Sequence, residues 1–219
     1  MLGEATDANG RAARAARLRG LYAVTPDLDD TTALTAMVSA AIDGGATAVQ
    51  YRNKTAPKEL RRTQAYALAV LCRSRDTLYI VNDDPQLAAL VNADGVHLGE
   101  DDIDIAAARD IVGPTALIGV SCYDDLSRAR TLADQGVDYL AFGSLFASSV
   151  KPNARRASLE LLSAARSLGV PIVGIGGIDE NNAAEVIDAG ADAVAVINAV
   201  FGVDDVESAA ERIARACET

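Results

Sequence analysis

The chain has 219 residues, half of them hydrophobic, which is enough to bury one sizeable core. No apolar run approaches the roughly 18 residues that a membrane-spanning helix needs, so no membrane partner is expected. The net charge of −11 argues against nucleic acid as a partner, because duplex binding relies on a positive surface; an anionic small molecule would have to be held by a few local cations.

Residues 1–20 carry Arg11, Arg14, Arg17 and Arg19 among alanines, with Glu4 and Asp7 and no apolar signal core. This predicts a short amphipathic N-terminal helix ahead of one catalytic domain over residues 21–219. From there strand-like runs recur at Leu21–Thr25, Ala48–Arg52, Leu78–Asn82, Gly95–Leu98, Leu117–Ser121, Tyr139–Gly143, Ile172–Ile175 and Ala193–Asn198. Helical patterns lie between them: Thr32–Asp43, Pro57–Ser74, Pro85–Val91, Ile105–Ile111, Leu126–Gln135, Leu159–Ser167, Asn182–Ala189 and Val206–Cys217. Gly44, Gly113, Gly136, Gly169 and Gly190 close helices as C′ residues do. Near-continuous apolar strands alternating with helices predict an α/β fold, a single (β/α)8 TIM barrel. An open doubly wound sheet would carry G-x-G-x-x-G after its first strand, and Leu21 to Asp27 contains no glycine. Cys72, Cys122 and Cys217 form no C-x-x-C pair, and reduced thiols in a cytoplasmic protein are the simplest expectation.

In such a barrel the ligand site lies where strands end and βα loops begin. Strand two ends on Gln50, Arg52 and Lys54, which alternation sends to one side as an anion clamp. Strand three ends Asn82-Asp83-Asp84, and strand four ends His97 to Asp102. Acids on two adjacent strand ends suit Mg2+, although one in each cluster could instead cap a helix. His97, the only histidine, reads as a packed strand residue. Ser121 ends strand five with no histidine near it in sequence, which leaves a serine hydrolase unsupported and a hydrogen-bonding serine preferred. Strand six leads into Ser148, Ser149, Val150 and Lys151, where small hydroxyls and one ammonium suit an anion. The glycines at Gly174, Gly176 and Gly177, with Ile197-Asn198 after strand eight, match the usual phosphate region of a barrel.

Several of these motifs match a known pattern in order: Gln50-x-Arg52-x-Lys54, Asn82-Asp83, Gly95-Val96-His97-Leu98-Gly99 with Asp102, Gly119-Val120-Ser121, Gly143 through Lys151, and Gly174-Ile175-Gly176-Gly177-Ile178. On these residues the chain resembles the thiamine-phosphate synthase family over nearly all of Leu21–Gly202. The resemblance implies a transferase that joins hydroxymethylpyrimidine diphosphate to a thiazole phosphate, giving thiamine monophosphate and diphosphate. It implies pyrimidine diphosphate contacts from Gln50, Arg52, Lys54, Asn82, Ser121 and Lys151, with Arg52, Lys54, Ser121 and Lys151 catalytic. It further implies Mg2+ at Asp83 and Asp102, and thiazole phosphate contacts from Ser148, Ser149, Val150, Gly177, Ile197 and Asn198. The chain departs from the family's Thr-x-Thr-Lys by having Ser148-Ser149-Val150-Lys151, and Asn198 stands where serine is common. A thiazole tautomerase of the same family and a non-catalytic barrel sensing a phosphorylated metabolite are the competing readings, and a homo-oligomer is left open.

Overall fold

A computed structural model describes residues 10–147 and 155–218. Eight parallel strands follow one another around a closed barrel, and the last pairs with the first. The chain runs through α1 (residues 10–15), β1 (Gly20–Val24), α2 (Thr31–Asp43), β2 (Ala48–Tyr51), α3 (Lys58–Ser74), β3 (Leu78–Asn82) and α4 (Pro85–Leu90). It continues with β4 (Gly95–Leu98), α5 (Ile105–Val112), β5 (Leu117–Tyr123), α6 (Leu126–Asp134), β6 (Tyr139–Phe142) and α7 (Leu159–Ala165). The final elements are β7 (Ile172–Ile175), α8 (Ala183–Asp188), β8 (Ala193–Val196), α9 (Asn198–Phe201) and α10 (Val206–Ala216).

Every expected strand is present; β1, β2 and β6 differ from expectation by one residue at an end, and two ends differ by more. β5 runs on to Tyr123 through a register shift after Ser121. β8 stops at Val196, because Ile197 (φ −112°, ψ −80°) turns the chain into the separate short helix α9. Four of the glycines expected to close helices have positive φ. Gly44 does not; a Cβ there would lie 2.3 Å from the Glu207 carbonyl, so that glycine serves the packing of α2 on α10.

Strand alternation divides the core in two. Residues such as Leu21, Val49, Val81 and Leu140 face the helices, whereas Tyr22, Val24, Ala48, Leu78, Ile80, Leu117 and Tyr139 fill the barrel interior. Only a glycine fits beside Tyr139: a Cβ on Gly119 would stand 1.9 Å from its ring. Ala15 and Leu18 join the same interior cluster from the segment that precedes β1, so they stop the end of the barrel where the strands begin. The arginines of that segment hold it in place. Arg11 pairs with Asp138, Arg14 with Asp94 and Arg17 with Asp76, on the loops that enter β6, β4 and β3. The opposite face, where the strands end, is left for chemistry. There Asp30, Asp84, Asp104, Asp125 and Asp205 accept from backbone N–H groups at helix starts, which absorbs part of the chain's acidic excess.

Candidate active site

The cationic clamp is built by two loops that fasten to each other. Thr25, fully buried after β1, accepts from Arg52 N at 2.8 Å and donates to Arg52 O at 2.9 Å. Asp27 Oδ1 then accepts from Arg52 NH1 at 3.1 Å and from Lys54 N at 2.9 Å. Asn53 ties the same turn down, donating to Leu28 O and accepting from Ala56 N. The expected common side for Gln50, Arg52 and Lys54 is only partly realised, because β2 ends at Tyr51 and strict alternation ends with it. Gln50 is buried in the interior, while Arg52 lies a quarter exposed at the rim. Lys54 reaches sideways to Asp83, Nζ to Oδ2 3.1 Å.

β3 delivers Asn82 and then Asp83, whose φ of 63° is unusual for a residue with a Cβ. Its N–H donates to His97 O at 2.8 Å, which fixes the turn. The neighbouring acids separate by role. Asp84 caps α4 and Asp104 caps α5, so neither helix needs Asp83 or Asp102. Asp102 instead accepts from Gly99 N at 2.6 Å. Its carboxyl is raised from the ordinary carboxylate value, first by burial and then by the charge and hydrogen bonding of Asp83, against the opposing pull of the Gly99 N–H and Lys54. Asp83, Asp102 and Lys54 are therefore one electrostatic cluster. Two carboxylates that repel each other would be relieved by a hard divalent cation. Among the described residues no third acid, histidine or cysteine joins them, which would leave its remaining positions to water and phosphate oxygens.

Ser121 has a hydrogen-bond partner that distance along the chain conceals. His97, 24 residues away in the chain, is brought beside it by the pairing of β4 with β5, with Nε2 2.9 Å from Ser121 Oγ. The imidazole's other nitrogen meets Tyr139 Oη at 3.0 Å rather than a carboxylate. Burial lowers the histidine's pKa from 6.5 to about 4, although the charge of Asp83 pulls the other way. A serine–histidine pair is present without the acid that would orient and charge it, and a hydrolase triad is not formed.

Beyond β6 the chain folds back on itself. Ser144 pairs with Arg155 and Ala157, and Leu145 and Phe146 donate to Ile175 and Gly176. Ser148, Ser149, Val150 and Lys151 lie outside the described residues. Gly177 has φ 69°, and a Cβ there would stand 2.6 Å from the Ala147 carbonyl, so its missing side chain already serves the packing of this loop. Ile197 and Asn198 sit where β8 gives way to α9, the short extra helix that commonly completes a barrel's phosphate site. Sequence reasoning missed Thr25, Asp27 and Asn53, which hold the clamp without belonging to its spacing. The available signal was a run of polar residues directly after apolar strands.

A family model described as thiamine monophosphate synthase matches residues 21–200. A thiamine-phosphate synthase of Methylobacillus flagellatus is 54% identical over 195 residues, covering 89% of this chain and 93% of the relative. One of Chromobacterium violaceum is 50% identical over 198 residues, with 90% and 96% covered. The solved structure of a thiamine phosphate pyrophosphorylase from Pyrococcus furiosus superimposes with a TM-score of 0.83 at 38% identity, over 93% of this chain and 97% of that one. A 3-hexulose-6-phosphate synthase structure at 18% identity and TM-score 0.67 shares the fold alone.

Proposed function

The chain belongs to the thiamine monophosphate synthase family of transferases, and from that premise we propose how its own residues carry the reaction. The substrates are a 4-amino-2-methylpyrimidine bearing a diphosphooxymethyl group and a methylthiazole bearing a phosphoethyl group, with or without a carboxylate. The methylene C–O bond breaks and diphosphate leaves with the electron pair. The thiazole nitrogen lone pair then forms the new C–N bond, giving thiamine monophosphate; a carboxylated thiazole also loses its carboxylate as CO2, the C–C bonding pair staying on the ring carbon, which takes up a proton.

The carrying observation is the convergence of Arg52, Lys54, Asp83 and Asp102 on three adjacent strand ends, above the interior residues Gln50 and Ser121. Arg52 and Lys54 hold the diphosphate, with Asn82 beside them and Lys151 as the further cation. Gln50 and Ser121 hold the pyrimidine. No enzyme nucleophile is needed, because an electron-rich aminopyrimidine delocalises the positive charge left on its methylene, so positioning and charge complementarity supply the acceleration. Asp83 and Asp102 are the residues that would hold Mg2+, which when bound supplies positive charge against the departing diphosphate. Backbone N–H groups at Gly177 and Ile197-Asn198, with Ser148 to Val150, take the thiazole phosphate. At position 150 valine leaves only the backbone to donate.

The test is incubation with both substrates and Mg2+, scored for thiamine monophosphate and diphosphate in equal amounts. Consumption of the thiazole alone, with the pyrimidine diphosphate untouched, would indicate the tautomerase. Binding without turnover would indicate a sensor.

A further inference from the structure

Beneath the site, polar groups run through an interior that is otherwise filled by Leu78, Ile80 and Leu117. Gln50 Nε2 donates to Tyr22 Oη at 2.8 Å, and the Tyr22 and Tyr139 hydroxyls are 3.0 Å apart. Tyr139 Oη lies 3.0 Å from His97 Nδ1, and His97 Nε2 lies 2.9 Å from Ser121 Oγ. One unbroken file of hydrogen bonds thus joins Gln50 to Ser121 through residues of five different strands. Its middle members are almost wholly enclosed: Tyr22 is 1%, Tyr139 0% and His97 8% exposed. Interior polar groups are costly to retain where leucine or phenylalanine would fit, so a file of three calls for a use.

Its direction follows from which groups can donate. An amide NH2 only donates, so the Tyr22 oxygen accepts, and the direction that leaves no buried hydroxyl proton unpaired passes the Tyr22 proton to Tyr139. Tyr139 in turn gives its proton to His97 Nδ1. An Nδ1 that accepts this bond carries no hydrogen of its own. The neutral ring therefore carries its hydrogen on Nε2 and donates to Ser121 Oγ. Among the described residues the Ser121 proton has no further acceptor, and Gln50 Oε1 at the other end has no donor.

We propose that Tyr22, Tyr139 and His97 are positioning residues that lock this file in one direction, so that Ser121 presents a donor and Gln50 an acceptor to the pyrimidine. The ligand side rests on the proposed function. An aminopyrimidine is complementary, with a ring nitrogen that accepts and an amino group that donates. Its oxo counterpart reverses both and meets the wrong partner at each end.

Two measurements test this. The chain has a single histidine, so 15N NMR of the imidazole is unambiguous in the unliganded wild type. The expected form is the neutral Nε2–H tautomer, and the Nδ1–H tautomer would mean the file runs the other way and would overturn the proposal. The second is kcat/KM for the amino and oxo pyrimidine diphosphates in wild type, Tyr139→Phe and Tyr22→Phe. Both variants should lose about tenfold or more of the preference for the amino substrate, mainly through KM, and Tyr139→Phe should show mixed tautomers. Folded variants that keep the full preference would also overturn it. Should Tyr139→Phe not fold, Tyr22→Phe and the wild-type tautomer decide. If the wild type turns over neither pyrimidine, the functional reading fails, while the tautomer still decides the direction.

Discussion

Asp27 shows how one carboxylate near a cationic clamp can act in two opposed ways. Its charge competes with the diphosphate for Arg52, yet its oxygen holds Arg52 and the Lys54 backbone in place. Both side chains of the ion pair are partly exposed, so solvent screens the Coulomb part and the geometric part should dominate. Asp27→Ala is expected to raise KM for the pyrimidine diphosphate about tenfold, corresponding to about 1.4 kcal/mol, with a smaller effect on kcat. Asp27→Asn keeps the acceptor for Lys54 N and should stay close to wild type. Tighter binding in both variants would show that charge wins. His97 makes a second residue-scale statement. Its folded pKa of about 4 is below the unfolded value of 6.5, so the unfolded chain takes up its proton first as pH falls. Stability is then lost between about pH 6.5 and 4, by about 3 kcal/mol in all for this one group. Denaturant titrations at pH 7 and pH 4.5 should show His97→Gln losing less than wild type across that interval; equal losses would refute the assignment.

At the scale of elements, the strands were legible because both their faces are buried, which writes each as an apolar run of fixed length. The end of β8 was not. Ile197 and Asn198 continue that run without a breaker, and the turn into α9 is set by backbone angles that composition does not encode. The clamp spacing was legible for the same reason that alternation is, and it failed one residue past the strand, where Asp27 and Thr25 take over. The His97–Ser121 contact depends on strand register, which barrel closure imposes. Of the arginine-rich first segment, residues 1–9 lie outside the described residues and 10–15 are helical, and its partners lie on loops far along the chain. Leu18→Ala, which empties the floor of the barrel, should cost about 2–4 kcal/mol in denaturation while leaving kcat near wild type. A large fall in kcat with unchanged stability would contradict a purely structural floor. Gly177 joins two loops, and its substitution should register in both. Gly177→Ala is expected to lower Tm, at a cost of roughly 1–3 kcal/mol, and to raise KM for the thiazole phosphate more than for the pyrimidine diphosphate. Unchanged Tm and KM together would remove it from both roles.

For the whole molecule, the proposed metal site at Asp83 and Asp102 predicts a stability effect that needs no turnover. A ligand that binds only the folded barrel stabilises it by about 2.7 kcal/mol at one hundred times its Kd. Mg2+ with inorganic diphosphate should therefore raise Tm in wild type and much less in Asp83→Asn or Asp102→Asn, while those variants unfold no earlier without metal. Identical shifts in all three proteins would remove both acids from the metal site. The floor made by Ala15 and Leu18 has a consequence for traffic. With the interior filled and that end stopped, only the face where the strands end is open, so whatever binds there must leave by the way it came. In the proposed reaction, diphosphate formed at the rim beside Lys54 shares its exit with the thiazole phosphate's entrance, and the joined product spans both sites. The reaction is thus a matter of queueing as well as bond making. Each departing molecule holds the place of the next arrival until it clears the rim.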